Sequence, residues 1–298
     1  MSRDYIIAGL RIRFHEPCAD MVGSGLPSFK RFEADFDDTA VCVAEFCLDR
    51  RPDIDGFRVL HTFDFPDAGQ ICMYGTSAES RIFVMRPEGR DDAAADTIFV
   101  LPFGSRVVES NIACDGAVPD PSLLRFGIWM MFSLAMVDFG ATMVHTSVIV
   151  KDGFATLFLG ESGTGKSTHT RLWRENIEGA VLLNDDSPVV RIVDGVAVAY
   201  GSPWSGKTHC YVNRGFPVRG IVRLSQGARN EIRRLDVLRA FGAVYPSCPP
   251  SLAYDDELQD KVCDIVGSLI SGVSVWHLSC LPDAAAAIMS YESVFEKR

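Results

Sequence analysis

The spacing of apolar and polar positions changes character near residue 120, and that change suggests two regions. Before it lie short runs, apolar or alternating: Tyr5–Phe14, Ala40–Leu48, Phe57–Phe65, Gln70–Tyr74, Ser80–Met85, Thr97–Leu101 and Arg106–Ile112. Turn signals such as Pro52-Asp53, Asp55-Gly56 and Pro87-Glu88-Gly89 separate them, so residues 1–120 read as β-rich, with a mixed or antiparallel sheet. The pairing order is not legible from the pattern. On the first run, Arg11, Arg13, His15 and Glu16 are either site residues or a solvated strand face.

Residues 121–298 read differently. A helix is predicted from Pro121-Ser122, and its most apolar stretch, Phe126–Val137, is 12 residues long between Arg125 and Asp138. That is too short to span a bilayer and predicts a buried core helix. Met143–Val150 follows as a strand carrying His145, then Phe154–Leu159 as a buried strand and Thr168–Ile177 as a helix. Residues 180–183 form an apolar strand that ends in Asn184-Asp185-Asp186. Val189–Val193 and Val196–Tyr200 flank Asp194-Gly195, a two-residue hairpin signal.

Between the strand at Phe154–Leu159 and the helix lies Gly160-Glu161-Ser162-Gly163-Thr164-Gly165-Lys166-Ser167. It fills every fixed position of the phosphate-binding pattern G-x-x-x-x-G-K-[ST], with Thr168 opening the helix. A glycine-rich turn exposes successive backbone N–H groups to phosphate, and the following helix presents its positive end. Lys166 is then expected at the terminal phosphates and Ser167 on Mg²⁺, with Mn²⁺ a compatible substitute. The adjacent Asp185 and Asp186 begin 19 residues past Lys166 at a strand end. Such carboxylates can hold the metal or its waters and accept a proton from an attacking hydroxyl. Adjacent on a strand, they point to opposite faces and should differ in role. A polar turn is the alternative reading of Asp185-Asp186-Ser187-Pro188. The hairpin then delivers Gly201–Thr208, whose Lys207 offers a second cation for the transferred group.

Composition adds bounds rather than identity. Hydrophobic residues make up 47% and charged residues 23%, ordinary for a globular chain, and the net charge of −10 argues against nucleic acid as a partner. Nine cysteines without a Cys-x-x-Cys pair read as reduced thiols in a cytoplasmic protein and write no zinc site. The opening residues Met1–Tyr5 carry no signal-peptide pattern, and no membrane partner is expected.

The run from His145 through Asp186 to Lys207 resembles the catalytic core shared by HPr serine kinase/phosphorylase and ATP-dependent phosphoenolpyruvate carboxykinase. The former has a His 15 residues before a Gly-Glu-Ser-Gly-x-Gly-Lys-Ser loop and a later strand ending in Asp-Asp; His145, Gly160–Ser167 and Asp185-Asp186 match that spacing. The latter has a similar His, a Ser-Gly-Thr-Gly-Lys-Thr loop, an Asp pair and a Lys-Thr after a hairpin, similar to 162–167 and Lys207-Thr208. Overall the chain is most similar to bacterial HPr-kinase-like proteins, including its closing strand–helix, Val273 to Met289. The resemblance covers residues 140–298 and does not extend to the first 120.

To the β-rich N-terminal region read from the pattern, the resemblance adds, from 121, a P-loop phosphotransferase core of the HPr kinase C-terminal/carboxykinase type, a mixed sheet with flanking helices, and so an α/β chain. It further implies that one of Asp185 and Asp186 orders the metal while the other activates the acceptor, with His145 beside them as proton shuttle or second-metal ligand. The expected activity is Mg²⁺-dependent transfer of the γ-phosphoryl group of ATP to a hydroxyl: a Ser of a protein or peptide, or a small metabolite. The alternatives are a small carboxykinase and a non-catalytic ATP-binding regulator. The first 120 residues are the candidate for acceptor recognition, and a homo-oligomer is compatible with the sequence.

Overall fold

The computed structural model describes residues 2–16, 18–34, 39–90, 93–206 and 208–296. It is a mixed α/β chain with two mixed sheets, and its contacts divide it into two compact units. One comprises Met1–Met136 with Ser251–Asp256, the other Val137–Pro250 with Glu257–Arg298.

The first unit holds an eight-stranded sheet: β1 (Arg3–Ile7), β2 (Leu10–Phe14), β3 (Val41–Cys47), β4 (Arg58–Phe65), β5 (Gln70–Thr76), β6 (Ser80–Pro87), β7 (Thr97–Pro102) and β8 (Val107–Ser110). Their order is β1-β2-β3-β8-β7-β6-β5-β4, with β2–β3 and β3–β8 parallel and the other pairs antiparallel. The single run Tyr5–Phe14 becomes two strands because Ala8 and Gly9 take left-handed φ values of 56° and 72° and close a tight turn. Leu10, Ile12 and Phe14 face the core, leaving the polar residues between them on the other face. There Arg13 donates from Nε and Nη2 to both oxygens of Asp4 at 2.8 Å, and Arg11 adds a contact at 3.3 Å. The Arg13 hydrogen bond holds the Asp4 carboxyl below the usual carboxylate range. His15 Nε2 lies 3.0 Å from Glu45. Self-paired charges on a strand face account for these residues.

Helix α1 (Cys18–Gly25) precedes β3, and α2 (Pro121–Met136) packs on β3, β6 and β7. The contact boundary therefore falls after Met136 rather than at 120, since the apolar helix completes the first core. With the short turn that follows, the helical span Pro121–Phe139 is 19 residues, longer than the 12-residue apolar stretch suggested. By length and composition it could cross a membrane, but 61% of its most apolar window is buried within the fold. Ser251–Asp256 returns from far along the chain: Tyr74 Oη and Arg81 Nε both donate to the buried Asp255 carboxylate at 2.9 Å, and His61 stacks on Tyr254 at 4.3 Å.

The second unit holds nine strands: β9 (Ala141–Met143), β10 (Thr146–Lys151), β11 (Phe154–Leu159), β12 (Val181–Asp186), β13 (Val189–Val193), β14 (Val196–Tyr200), β15 (Gly215–Gln226), β16 (Glu231–Arg234) and β17 (Ser274–Cys280). The path is β12-β10-β11-β15-β14-β13-β9, with β17 also on β15 and β16 on β17. The long β15 pairs with β14 through its first half and with β11 and β17 through its second. Its helices are α3 (Lys166–Asn176), α4 (Val237–Val244), α5 (Asp256–Gly272) and α6 (Ala284–Phe295). Phe158, Trp173, Val222, Leu278 and Val294 form the core between this sheet, α3 and α6. That core fixes where α3 starts, and hence where the loop before it stands.

Gly127 of α2 tests the first core. An added Cβ would meet Phe99 Cζ at 2.1 Å. Gly127→Ala gains about 1 kcal/mol of helix propensity, but overpacking a closed core costs about 1–3 kcal/mol. The expected outcome is a lower denaturant midpoint for Gly127→Ala; a rise would mean that this packing is loose.

Candidate functional site

The segment Gly160–Ser167 leaves the end of β11 and enters α3, the strand–loop–helix order its pattern requires. Gly165 caps the helix at φ 102°, a conformation that a side chain would strain. Lys166, the first helical residue, folds back so that Nζ donates to the carbonyl oxygens of Gly160 at 2.8 Å and Glu161 at 3.3 Å. Partial burial draws its pKa below the ordinary lysine value, helped by Arg223 and opposed by Asp186 and Asp185.

The strand-end carboxylates meet this loop from the side. Asp185 is buried, at 5% exposure, and its Oδ1 accepts from Ser147 Oγ and, at 3.1 Å, from Ser167 Oγ. Ser147 lies directly opposite Asp185 in the β10–β12 register. Asp186 points the other way, with its side chain 43% exposed, and Ser187 Oγ donates to its Oδ2 at 3.1 Å. It adopts φ 149°, outside the regions that side chains favour. Strain of this kind concentrates at functional sites, where the surroundings hold the residue in place.

His145 lies between β9 and β10 rather than on one continuous Met143–Val150 strand. Its own N–H donates to the Ser247 carbonyl at 2.7 Å, which takes it out of the ladder. Its Nε2 is 3.8 Å from Asp186 Oδ1, too long for a hydrogen bond. Partial burial, then the Lys166 charge, lower its pKa against the pull of Asp186 and Asp185, so the ring is neutral at pH 7.

Ser205 and Gly206, after β14, close on the same place. Ser205 bridges to Asp186, and the Gly206 N–H donates to the Asp185 carbonyl at 2.5 Å. A Cβ on Gly206 would fall 2.9 Å from that oxygen, so only glycine permits the approach. Lys207 lies outside the described residues. Of the arginines at 214, 219 and 223, Arg223 comes to the loop, with Nη2 3.9 Å from Glu161. Arg214 lies over Phe216, and Arg219 over Phe154 and Phe295.

Ser147 and Asn184 escaped the sequence reading. Asn184 is fully buried; its Nδ2 donates to the Trp204 carbonyl at 3.1 Å and its Oδ1 accepts from the Ser187 N–H. Neither stands out in the sequence, since Ser147 follows His145-Thr146 and Asn184 precedes the Asp pair, so each sits among polar neighbours.

His169 has a packing role. Ser290 Oγ donates to the Ala287 carbonyl at 2.9 Å, so its lone pairs are left for Trp173 Nε1–H at 2.8 Å and His169 Nε2–H at 3.0 Å. Burial pushes the His169 pKa down to about 4.

The donor set beside Lys166, a serine hydroxyl and carboxylates, is hard and oxygen-based, which fits Mg²⁺. Among the described residues no three His, Cys, Asp or Glu side chains cluster as a metal cage. Mg²⁺ held by one or two carboxylates together with phosphate oxygens needs no such cage.

No family model and no curated protein matches the sequence. Among solved structures, the chain has a distant likeness to the Hpr(Ser) kinase/phosphatase from Coxiella burnetii, at 14% identity and a TM-score of 0.28. The match covers 50% of this chain and 90% of that one. A likeness this low carries no weight for the activity.

Two outcomes are expected from these residues. In the folded state His169 stays neutral from its ordinary pKa of 6.5 down to about 4, while the unfolded chain already binds the proton there. Stability is therefore full above pH 6.5 and falls by at most about 3 kcal/mol as pH drops toward 4. Denaturant unfolding across that range should show this loss, and His169→Phe should lack it. At Asp186, relief of about 1–3 kcal/mol of strain exceeds the entropic cost of glycine, about 0.5–1 kcal/mol. Asp186→Gly should thus unfold at higher denaturant than wild type; a clear destabilisation would remove the strain argument.

Proposed function

We propose that the chain is an ATP-dependent phosphotransferase that moves the γ-phosphoryl group to a hydroxyl acceptor. The observation that carries this reading is the convergence of Lys166 and Ser167 on Asp185 and Asp186, with Ser167 Oγ 3.1 Å from Asp185 Oδ1. A phosphate loop that only binds nucleotide has no need of a strained carboxylate beside a neutral imidazole.

In this reading the loop N–H groups and Lys166 hold the β- and γ-phosphates, exchanging the Gly160 and Glu161 carbonyls for phosphate oxygens. Ser167 and Asp185 would hold Mg²⁺, with Asp186 at its edge; the ion's contribution is to neutralise charge on the phosphates. Ser147 orients Asp185. Asp186, on the open side, receives the proton of the acceptor hydroxyl, and the neutral His145 ring beside it can pass that proton on. Arg223 supplies positive charge at the mouth of the loop. The first unit is assigned acceptor recognition. The nine cysteines are all free thiols, which supports a reducing compartment such as the cytoplasm.

The test follows label from γ-labelled ATP into an extract of the source cell, with Lys166→Ala as control. Lys166-dependent label in an acid-stable macromolecule is expected for a protein or peptide acceptor, and label in a small molecule for a metabolite. No transfer despite ATP binding would overturn the reading in favour of a regulator. Asp186→Asn should leave ATP affinity nearly unchanged and cut transfer by about 10²-fold or more. Near-normal turnover in that variant would return the Asp pair to a turn.

A further inference from the structure

Four strands of the second unit end at one edge of its sheet. β11, β15 and β17 are parallel by direct pairing, and β12 joins them in direction through two antiparallel steps across β10. Their lateral order is β12, β10, β11, β15, β17. The phosphate loop rises from β11, in the middle. On one flank the β12 end carries Asp185 and Asp186. The other flank, at the ends of β15 and β17, holds an open cleft of about 420 Å³.

The cleft abuts the outer face of the phosphate loop at Gly163 and Thr168, and its walls are Leu172, Gln226, Leu281 and Pro282. We infer that this cleft receives the nucleoside, base and ribose, of the nucleotide, an assignment that rests on the phosphotransferase reading above. A nucleoside triphosphate is a polar ligand with two unlike ends, and the two flanks of the loop are unlike in the same sense. The reacting phosphoryl group belongs beside the carboxylates, so the phosphate chain runs back across the loop and leaves the nucleoside over β15 and β17. The volume is that of a small-molecule site, and such sites combine apolar walls with few polar groups. Leu172, Leu281 and Pro282 present apolar surface to a base. Gln226 supplies the polar edge: its Nε2 donates to the Gly163 carbonyl at 3.4 Å, which leaves Oε1 to accept from an exocyclic amine. The same bond ties the nucleoside side of the cleft to the phosphate loop.

The experiment compares Mg·ATP with Mg·tripolyphosphate, which has the phosphates and no nucleoside. Calorimetric affinities are measured for wild type and for Leu281→Trp, a change at a residue that is 40% exposed. Filling the cleft should weaken ATP by about tenfold or more and leave tripolyphosphate unchanged. Alkylation of Cys280, which also lines the cleft, gives a second readout on the unaltered protein. ATP should slow its modification, followed by peptide mass spectrometry, and tripolyphosphate should not. Equal effects of Leu281→Trp on the two ligands, or Cys280 reacting alike with either bound, would overturn the assignment. Wild type that binds tripolyphosphate and gains nothing from the nucleoside would overturn the cleft alone. Binding of neither ligand would overturn the phosphotransferase reading and the cleft with it.

Discussion

The buried Asp185 takes two hydroxyl hydrogens on Oδ1, one from the buried Ser147 on β10 and one from the exposed Ser167 at the start of α3. A buried carboxylate is costly unless its oxygens are satisfied. Satisfying this one requires that β10, β12 and the start of α3 keep a fixed relation. The apolar core around Phe158 and Trp173 sets the helix against the sheet, and the Asp185 contacts set the Gly160–Ser167 loop against the strand. The remaining groups are placed as a consequence: Asp186 must face outward because Asp185 faces in, and the Gly206 N–H can reach the Asp185 carbonyl only across that edge.

Charge follows from the same arrangement. Lys166 and the two aspartates lie close enough to influence one another, and His145 stands within that field in its neutral form. A neutral ring beside a carboxylate can accept a proton without first losing one. The loop lysine meanwhile bonds two backbone carbonyls, weak partners compared with phosphate oxygens, so exchange for a phosphate would release little and gain charge-assisted bonds.

The first unit follows another logic. Its helix α2 is apolar on nearly every side because it fills a core, and its charged strand face is consumed by Asp4, Arg11 and Arg13 pairing among themselves. Ser251–Asp256 adds the carboxylate that Tyr74 and Arg81 require.

What the sequence by itself determined was local. The phosphate-loop pattern, the strand before it, the helix after it, the Asp194-Gly195 hairpin and most first-unit strands follow from periodicity and turn chemistry, which act over a few residues. The Ala8-Gly9 turn escaped because nothing in an alanine announces a positive φ. His145 escaped as a loop residue because its partner, the Ser247 carbonyl, lies about a hundred positions along the chain. Only the tertiary structure decided that α2 belongs with the first sheet, that Ser147 supports Asp185, and that Arg223 rather than Arg214 or Arg219 reaches the loop. The reason is common to all of them: strand order and register bring together residues distant in sequence, and no local spacing encodes which strands become neighbours.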